Sequence, residues 1–341
     1  MADASPGPAD ARARPPDTAG TNHDRRDGRV YVSDERIDLA VAVALATGRP
    51  LLLRGEPGSG KSSLAAYVAR TRGWRYYEHV VTARTLAEEF LWSFDHVRRM
   101  AEMTKAVQHQ KTVHDSDYVT PGVLWWAFDR ESARCRGAGR QEPARLASEG
   151  PPPPVEPRAD LNADREDTDD AVVLIDEIDK ADPDTPNGLL VPLGSRQFTV
   201  AQTGTVVRDP GLSPEPPQRL TRHLVIVTTN GERDLPAAFL RRCVVHELEP
   251  PGPEKLVDIA AEHLRTYGEG FTAADLRLAE ELAAELMRFR ERATAAAVRA
   301  PSTAEFLDAL HACRQLGIRV GDERWTALSE LTLVKGNRWG A

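Results

Sequence analysis

The run Gly55-Glu56-Pro57-Gly58-Ser59-Gly60-Lys61-Ser62 follows the apolar stretch Leu51-Leu52-Leu53 and matches the pattern G-x-x-x-x-G-K-S/T. Such a loop needs glycines so that the backbone comes close to phosphate oxygens, with its N–H groups aimed at the anion and a helix N-terminus directly behind. The stretch reads as a nucleoside triphosphate site. Gly55, Glu56, Pro57, Gly58, Ser59, Gly60, Lys61, Ser62 and Ser63 form the cradle, Lys61 reaches the β- and γ-phosphates, and the Ser62 hydroxyl is suited to Mg²⁺. Ser63 to Ala69 continues as the helix whose dipole faces the phosphates. The competing reading is a Gly-rich turn with a chance lysine. A strand before the loop and a helix after it weigh against that.

A second apolar run, Ala171-Val172-Val173-Leu174-Ile175, ends in Asp176-Glu177, the way a buried parallel strand delivers carboxylates to a sheet edge. Asp176 is suited to the metal shell and Glu177 to polarising an attacking water. A third strand, Leu224 to Thr229, ends in Asn230, whose amide both donates and accepts hydrogen bonds. Asn is also an ordinary turn former.

With Phe239-Leu240-Arg241-Arg242-Cys243 downstream, the order of these motifs resembles the AAA+ ATPases, and within them the MoxR family. The stretches that carry the resemblance are Asp176-Glu177-Ile178-Asp179-Lys180-Ala181 and Thr228 to Cys243, within a span from Val30 to Lys335. The resemblance implies that Asn230 is the sensor-1 residue and Arg242 a finger reaching a neighbour's nucleotide, with Arg241 as the alternative and a surface salt bridge as the structural reading of either. It implies ATP and Mg²⁺ as ligands, ATP hydrolysis with Lys61, Glu177, Asn230 and Arg242 in the chemistry, and a homo-oligomeric ring of six. A protein client is implied, with a von Willebrand factor A domain protein as the first expected partner. ATP over GTP rests on the resemblance alone. One departure stands out: Ala300-Pro301-Ser302-Thr303-Ala304-Glu305 carries no Arg where relatives place sensor 2, and Arg299 just before it is the available substitute.

The expected fold is a P-loop α/β domain, a parallel sheet of the AAA+ type with a small C-terminal helical lid. The expected divisions are a disordered tail over 1–28, the nucleotide domain over 29–250 and the lid over 251–341. Ser33 is placed to cap a helix from Ile37 to Leu45 that closes at Gly48. A separation of 115 positions between Lys61 and Asp176 is too long for ordinary loops. Part of it, about 90–126, resembles the helix-2 insert of the MoxR-containing clade, with Asp117 to Ala127 as its hairpin. Trp125 and Trp126 there read either as core residues or as a client grip, the core reading being favoured. The rest, about 137–170, contains Pro151 to Pro154 and an acid-rich run, and reads as a flexible loop. Lid helices are expected over 254–267, 272–296 and 302–316, with apolar residues at spacings of three and four.

At 341 residues and 41% hydrophobic content the chain can bury a sizeable core. A net charge of −8 weighs against a nucleic-acid stripe. The longest apolar stretch, Leu39 to Ala46, is far shorter than the ~20 residues that span a bilayer. With no apolar leader segment and three cysteines in no metal spacing, the expectation is a cytoplasmic protein with free thiols. Two rival functions remain open: an ATP-dependent assembly switch with negligible turnover, and a nucleic-acid-associated NTPase motor.

Overall fold

Apolar residues that fill every position of a strand require cover on both faces, and a parallel sheet between helices supplies it. In the computed structural model, which describes residues 26–109, 112–137, 151–165, 167–212, 222–268 and 270–334, five such strands form one sheet. They are β1 (Leu51–Arg54), β2 (Arg75–Val80), β5 (Ala171–Asp176), β8 (His223–Thr229) and β9 (Val244–Glu247), in the order β2-β5-β8-β1-β9 and all parallel. Alternate residues serve opposite faces. Leu51, Leu53, Val172, Leu174 and Ile226 pack against α1 (Glu35–Thr47) and α2 (Lys61–Arg72). Leu52, Val173, Ile175 and Val227 face the cluster that holds Trp125 and Trp126.

The register sets Arg54 beside Thr229 and Ile175 beside Val227, so the carboxyl ends of β1, β5 and β8 open onto one edge. Ligands of open parallel sheets bind at that edge, where the chain direction of successive connections diverges. The loop after β1 leads into α2, which returns to β2 across two intervening strands.

Several expectations need correction. The N-cap of α1 is Asp34, whose carboxylate accepts from the Ile37 N–H at 3.0 Å, while Ser33 donates to Asp38 at 2.6 Å. Both residues are good caps by composition, and the one whose oxygen meets the third N–H wins. Gly48 does close the helix, at φ 63°. In the insert, β3 (Trp92–Phe94) pairs antiparallel with β4 (Val119–Pro121), and α3 (His96–His109) lies between them in sequence. The hairpin is therefore wider than Asp117 to Ala127. Trp125 and Trp126 belong to α4 (Val123–Phe128) and are 0% and 2% exposed, which bears out the favoured core reading over a client grip; Trp125 donates its indole N–H to Ser132 in α5 (Arg130–Arg134).

Within the stretch expected as a flexible loop, residues 151–165 and 167–170 are instead tied to the outer strand. Asn162, at the end of α6 (Ala159–Asn162), accepts from the Tyr76 N–H at 2.8 Å and donates to the Tyr76 carbonyl at 3.0 Å, as a neighbouring strand would. Glu156 takes Arg75 at 3.1 Å, Arg130 at 2.9 Å and the Tyr77 hydroxyl at 2.9 Å, and these donors hold its carboxyl below the usual range against the effect of burial. Covering an exposed sheet edge with a loop removes unpaired backbone groups. Residues 138–150 and 166 lie outside the described residues, as do 1–25 of the expected disordered tail; 26–28 form an ordered turn.

Beyond α7 (Thr185–Gly188) and α8 (Leu190–Ser195), β6 (Gln197–Thr199) and β7 (Val206–Arg208) form a hairpin. After α9 (Ala237–Leu240) and β9 come α10 (Pro253–Tyr267), α11 (Ala273–Ala295) and α12 (Thr303–Leu316), with a core of their own that includes Leu256, Leu264, Leu282, Leu286 and Phe306. Thr272 with Asp275 and Ser302 with Glu305 make capping boxes at α11 and α12. Past the three expected lid helices, α13 (Trp325–Ser329) and a π-helical turn over Glu330–Val334 add Trp325, Leu328 and Leu333 to this core.

Arg75 is 1% exposed and depends on Glu156, so Glu156→Ala leaves a buried cation short of its partner. The expected cost is about 3 kcal/mol, or roughly 6–12 °C in the melting temperature. An unchanged thermal melt would show that 151–165 is not a structural part of the sheet.

Candidate functional site

β1 runs into a loop whose three glycines all have positive φ, Gly55 at 145°, Gly58 at 77° and Gly60 at 92°. Gly58 has a second reason to lack a side chain: a Cβ there would stand 2.6 Å from the Ser302 Cβ of the α12 cap. The N-cap of α2 makes no side-chain hydrogen bond, so first-turn N–H groups stay available to an anion. The Lys61 ammonium lies buried in the loop and donates to the carbonyls of Gly55 and Glu56, each at 2.7 Å. Burial lowers its pKa, and the nearby charges of Asp176, Asp179 and Glu177 oppose that shift.

Asp176 ends β5 beside this loop and is 2% exposed. Its Oδ1 accepts from the Ser62 hydroxyl at 2.8 Å and from the Thr228 hydroxyl at 2.6 Å; its Oδ2 meets the Arg26 guanidinium at 2.7 Å. Glu177 stands at φ 63°, an uncommon conformation for a side chain other than Gly or Asn, held by a bond from its N–H to Thr228 at 2.8 Å. Its carboxylate accepts from the Asn230 amide at 3.0 Å on one oxygen and from the Lys180 ammonium on the other. Asp179 receives the backbone N–H groups of Asn230 at 3.2 Å and Glu232 at 2.9 Å, which fixes the turn after β8.

Lys61, Ser62, Asp176, Glu177 and Asn230, which come from separate stretches of sequence, thus meet at one edge of the sheet. Arg241 and Arg242 do not join them: both are exposed on the turn after α9 and neither lines the cleft. Sequence reasoning gave no role to Thr228, Asp179, Lys180 or Arg26. Thr228 was detectable as the first of two threonines that follow the apolar run Leu224 to Val227; nothing in the sequence marks Arg26.

The cleft has a volume of about 1030 Å³ and is lined, beyond the phosphate loop, by Tyr31, Ile259, His263 and Tyr267 and by Arg299, Ser302 and Thr303. Burial and the neighbouring Asp34 and Asp38 push the Tyr31 phenol pKa up. Arg299 lines the cleft, yet its guanidinium pairs with Glu305 at 3.4 Å. Ser62 and Asp176 offer hard oxygen donors of the kind Mg²⁺ takes together with substrate phosphates. The guanidinium of Arg26 already stands in for a cation on Asp176, so the residues fit a divalent metal.

Thr228→Val removes the hydroxyl that serves both Asp176 and the Glu177 N–H. The expected loss is about 2–3 kcal/mol of stability, read as a lower denaturant midpoint at constant slope; a midpoint equal to wild type would contradict the geometry described.

No curated protein sequence matches the chain. Among solved structures it is similar to the RuvB Holliday junction branch migration motor of Thermotoga maritima, at 14% identity and a TM-score of 0.39 over 87% of this chain and 67% of that one. It is also similar to a protein of Cytophaga hutchinsonii assigned as an ATPase, at 13% identity and a TM-score of 0.39 over 90% of this chain and 83% of that one. Likeness this remote does not bear on activity. A family profile does: the AAA domain of the dynein-related subfamily matches residues 50–243. That span is more than half of the chain and contains every residue of the strand-edge cluster except Arg26, and the chain belongs to the AAA ATPases of the dynein-related subfamily.

Proposed function

We propose that this chain binds ATP with Mg²⁺ in the cleft above β1, β5 and β8 and hydrolyses its terminal phosphoanhydride, within a ring whose neighbouring subunit supplies Arg242. The observation that supports this most is the meeting of Ser62, Asp176, Glu177 and Asn230 around the end of one buried strand, behind a glycine loop with free helix N–H groups. Loop N–H groups and Lys61, released from the carbonyls it now caps, hold the phosphate oxygens. Ser62 and Asp176 hold Mg²⁺, which when bound offsets negative charge on the phosphates. Glu177 orients and polarises the attacking water, and Asn230 fixes the Glu177 carboxylate and contributes a donor beside it. Tyr31, Ile259, His263 and Tyr267 enclose the base. Gly55, Glu56, Pro57, Gly58, Ser59, Gly60 and Ser63 complete the cradle.

AAA proteins commonly assemble as rings, and Arg242 on an exposed turn away from its own cleft suits a role in a neighbour's site. Arg241 is the alternative finger. We place the chain with the MoxR group on the strength of its motif segments, with six subunits, a cytoplasmic setting, and remodelling of a protein client in concert with a von Willebrand factor A domain protein. Among the described residues no helix is long and apolar enough to cross a membrane. The helical unit over 253–334 is the lid that follows nucleotide state, through the Ser302 cap that touches Gly58.

A second reading, an assembly switch with little turnover, draws on two contacts. The Lys180 ammonium sits on Glu177, and Arg299 is engaged by Glu305 instead of pointing freely into the cleft.

Phosphate release from ATP and GTP over a protein concentration series tests both readings. For the enzyme, turnover prefers ATP, rises steeply with concentration, falls by ~10² to 10⁴ in Glu177→Gln and by ~10³ to 10⁵ in Arg242→Ala. Turnover absent from the wild-type assembly, with ATP-driven assembly retained in Glu177→Gln, would establish the switch in its place.

A further inference from the structure

Both oxygens of the Asp176 carboxylate are taken. Oδ1 accepts two hydroxyls, from Ser62 at the start of α2 and Thr228 inside β8, and Oδ2 is held by Arg26 at 2.7 Å. The hydroxyls ride on a helix and a central strand, whereas Arg26 belongs to a turn over residues 26–29 that precedes α1. A cation that approaches Asp176 meets the guanidinium's positive charge on Oδ2. At such short range two cations sharing one carboxylate repel strongly, more so away from bulk water.

The turn is seated by two anchors apart from the charge pair. Gly28 is buried at φ 69° against α2, where a Cβ would stand 2.2 Å from the Ala66 carbonyl oxygen. Asp27 accepts from the Tyr267 hydroxyl of α10 at 2.6 Å and from the Arg29 N–H at 2.9 Å. The same four residues therefore touch the strand-end carboxylate, the helix behind the phosphate loop and the C-terminal helical unit.

We propose that Arg26 is a resident counter-ion of the metal position: it neutralises Asp176 until a divalent cation arrives with nucleotide, and it must leave Oδ2 for that cation to be held. The inference rests on the nucleotide reading above. It makes Arg26 a positioning residue that sets how much Mg²⁺ the site demands, and the Asp27–Tyr267 bond carries its departure to α10.

The test uses the full chain and the N-methylanthraniloyl derivative of β,γ-imido-ATP, with fluorescence followed as Mg²⁺ is titrated at fixed probe. Wild type, Arg26→Ala and Gly28→Ala are compared. Gly28→Ala dislodges the turn without altering any charge, so it guards against a simple folding defect in the first variant. In both variants the half-saturating Mg²⁺ concentration should fall, in Arg26→Ala by roughly ten- to a hundredfold, the range for one contact to a charged group. An Mg²⁺ demand that is unchanged or raised overturns the proposal. So does weaker probe binding at saturating Mg²⁺, which would make Arg26 a phosphate ligand. Failure of the nucleotide reading has a different signature: wild type then binds no probe at any Mg²⁺ concentration, and both ideas fall together.

Discussion

A carboxylate at the end of a buried strand, 2% exposed, is tolerated only when its charge and lone pairs are met by partners, because an ion left unpaired away from water costs several kcal/mol. Asp176 meets that demand with one donor from the helix behind the phosphate loop, one from the neighbouring strand and one from the turn before α1. The demand fixes α2 against β5 and β8 and sets Thr228 so that its oxygen also receives the Glu177 N–H. Glu177 is thereby held at a positive φ, with its carboxylate turned toward Asn230. The apolar core already holds α2 on the sheet; the demand at Asp176 sets how the polar ends of these elements meet.

The convergence lies where two local features overlap. The glycine loop leaves backbone N–H groups unpaired at the head of α2, a place where negative charge is favourable. Lys61 and Arg26 supply positive charge within the same cleft, one curled onto carbonyls of its own loop and the other on Asp176. Both cations occupy contacts that an incoming polyphosphate and metal would exchange. The site is thus satisfied internally while its parts stay in place to rearrange.

Much of the sheet and the central cluster was legible in the sequence because each carries a local signal. Leu51 to Leu53, Val172 to Ile175 and Leu224 to Val227 are short continuous apolar runs of the kind a strand buried on both faces carries. The loop from Gly55 to Ser62 has glycines wherever φ is positive. The partners of these residues were not legible, since they arise from long-range contacts. Glu156 and Asn162 sit in a stretch of Pro and acidic residues that looks solvated, yet Arg75 and the open edge of β2 give that stretch something to pair with. The core reading favoured for Trp125 and Trp126 holds, but the partner that Trp125 packs against, Phe198, lies far away in sequence. Asp34 rather than Ser33 caps α1 through a one-residue choice that composition leaves open. Arg26 has no local signature, because its role comes from where the turn lies relative to Asp176.

Titration calorimetry of ATP into wild type, Lys61→Ala and Ser62→Ala, with and without Mg²⁺, tests the central claim most directly. The account predicts one nucleotide per chain in wild type, loss of binding in Lys61→Ala, and in Ser62→Ala a loss confined to the Mg²⁺-dependent part of the affinity. Wild-type binding that survives undiminished in Lys61→Ala, or no binding by wild type at millimolar ATP, would contradict the assignment of this strand edge as the nucleotide site.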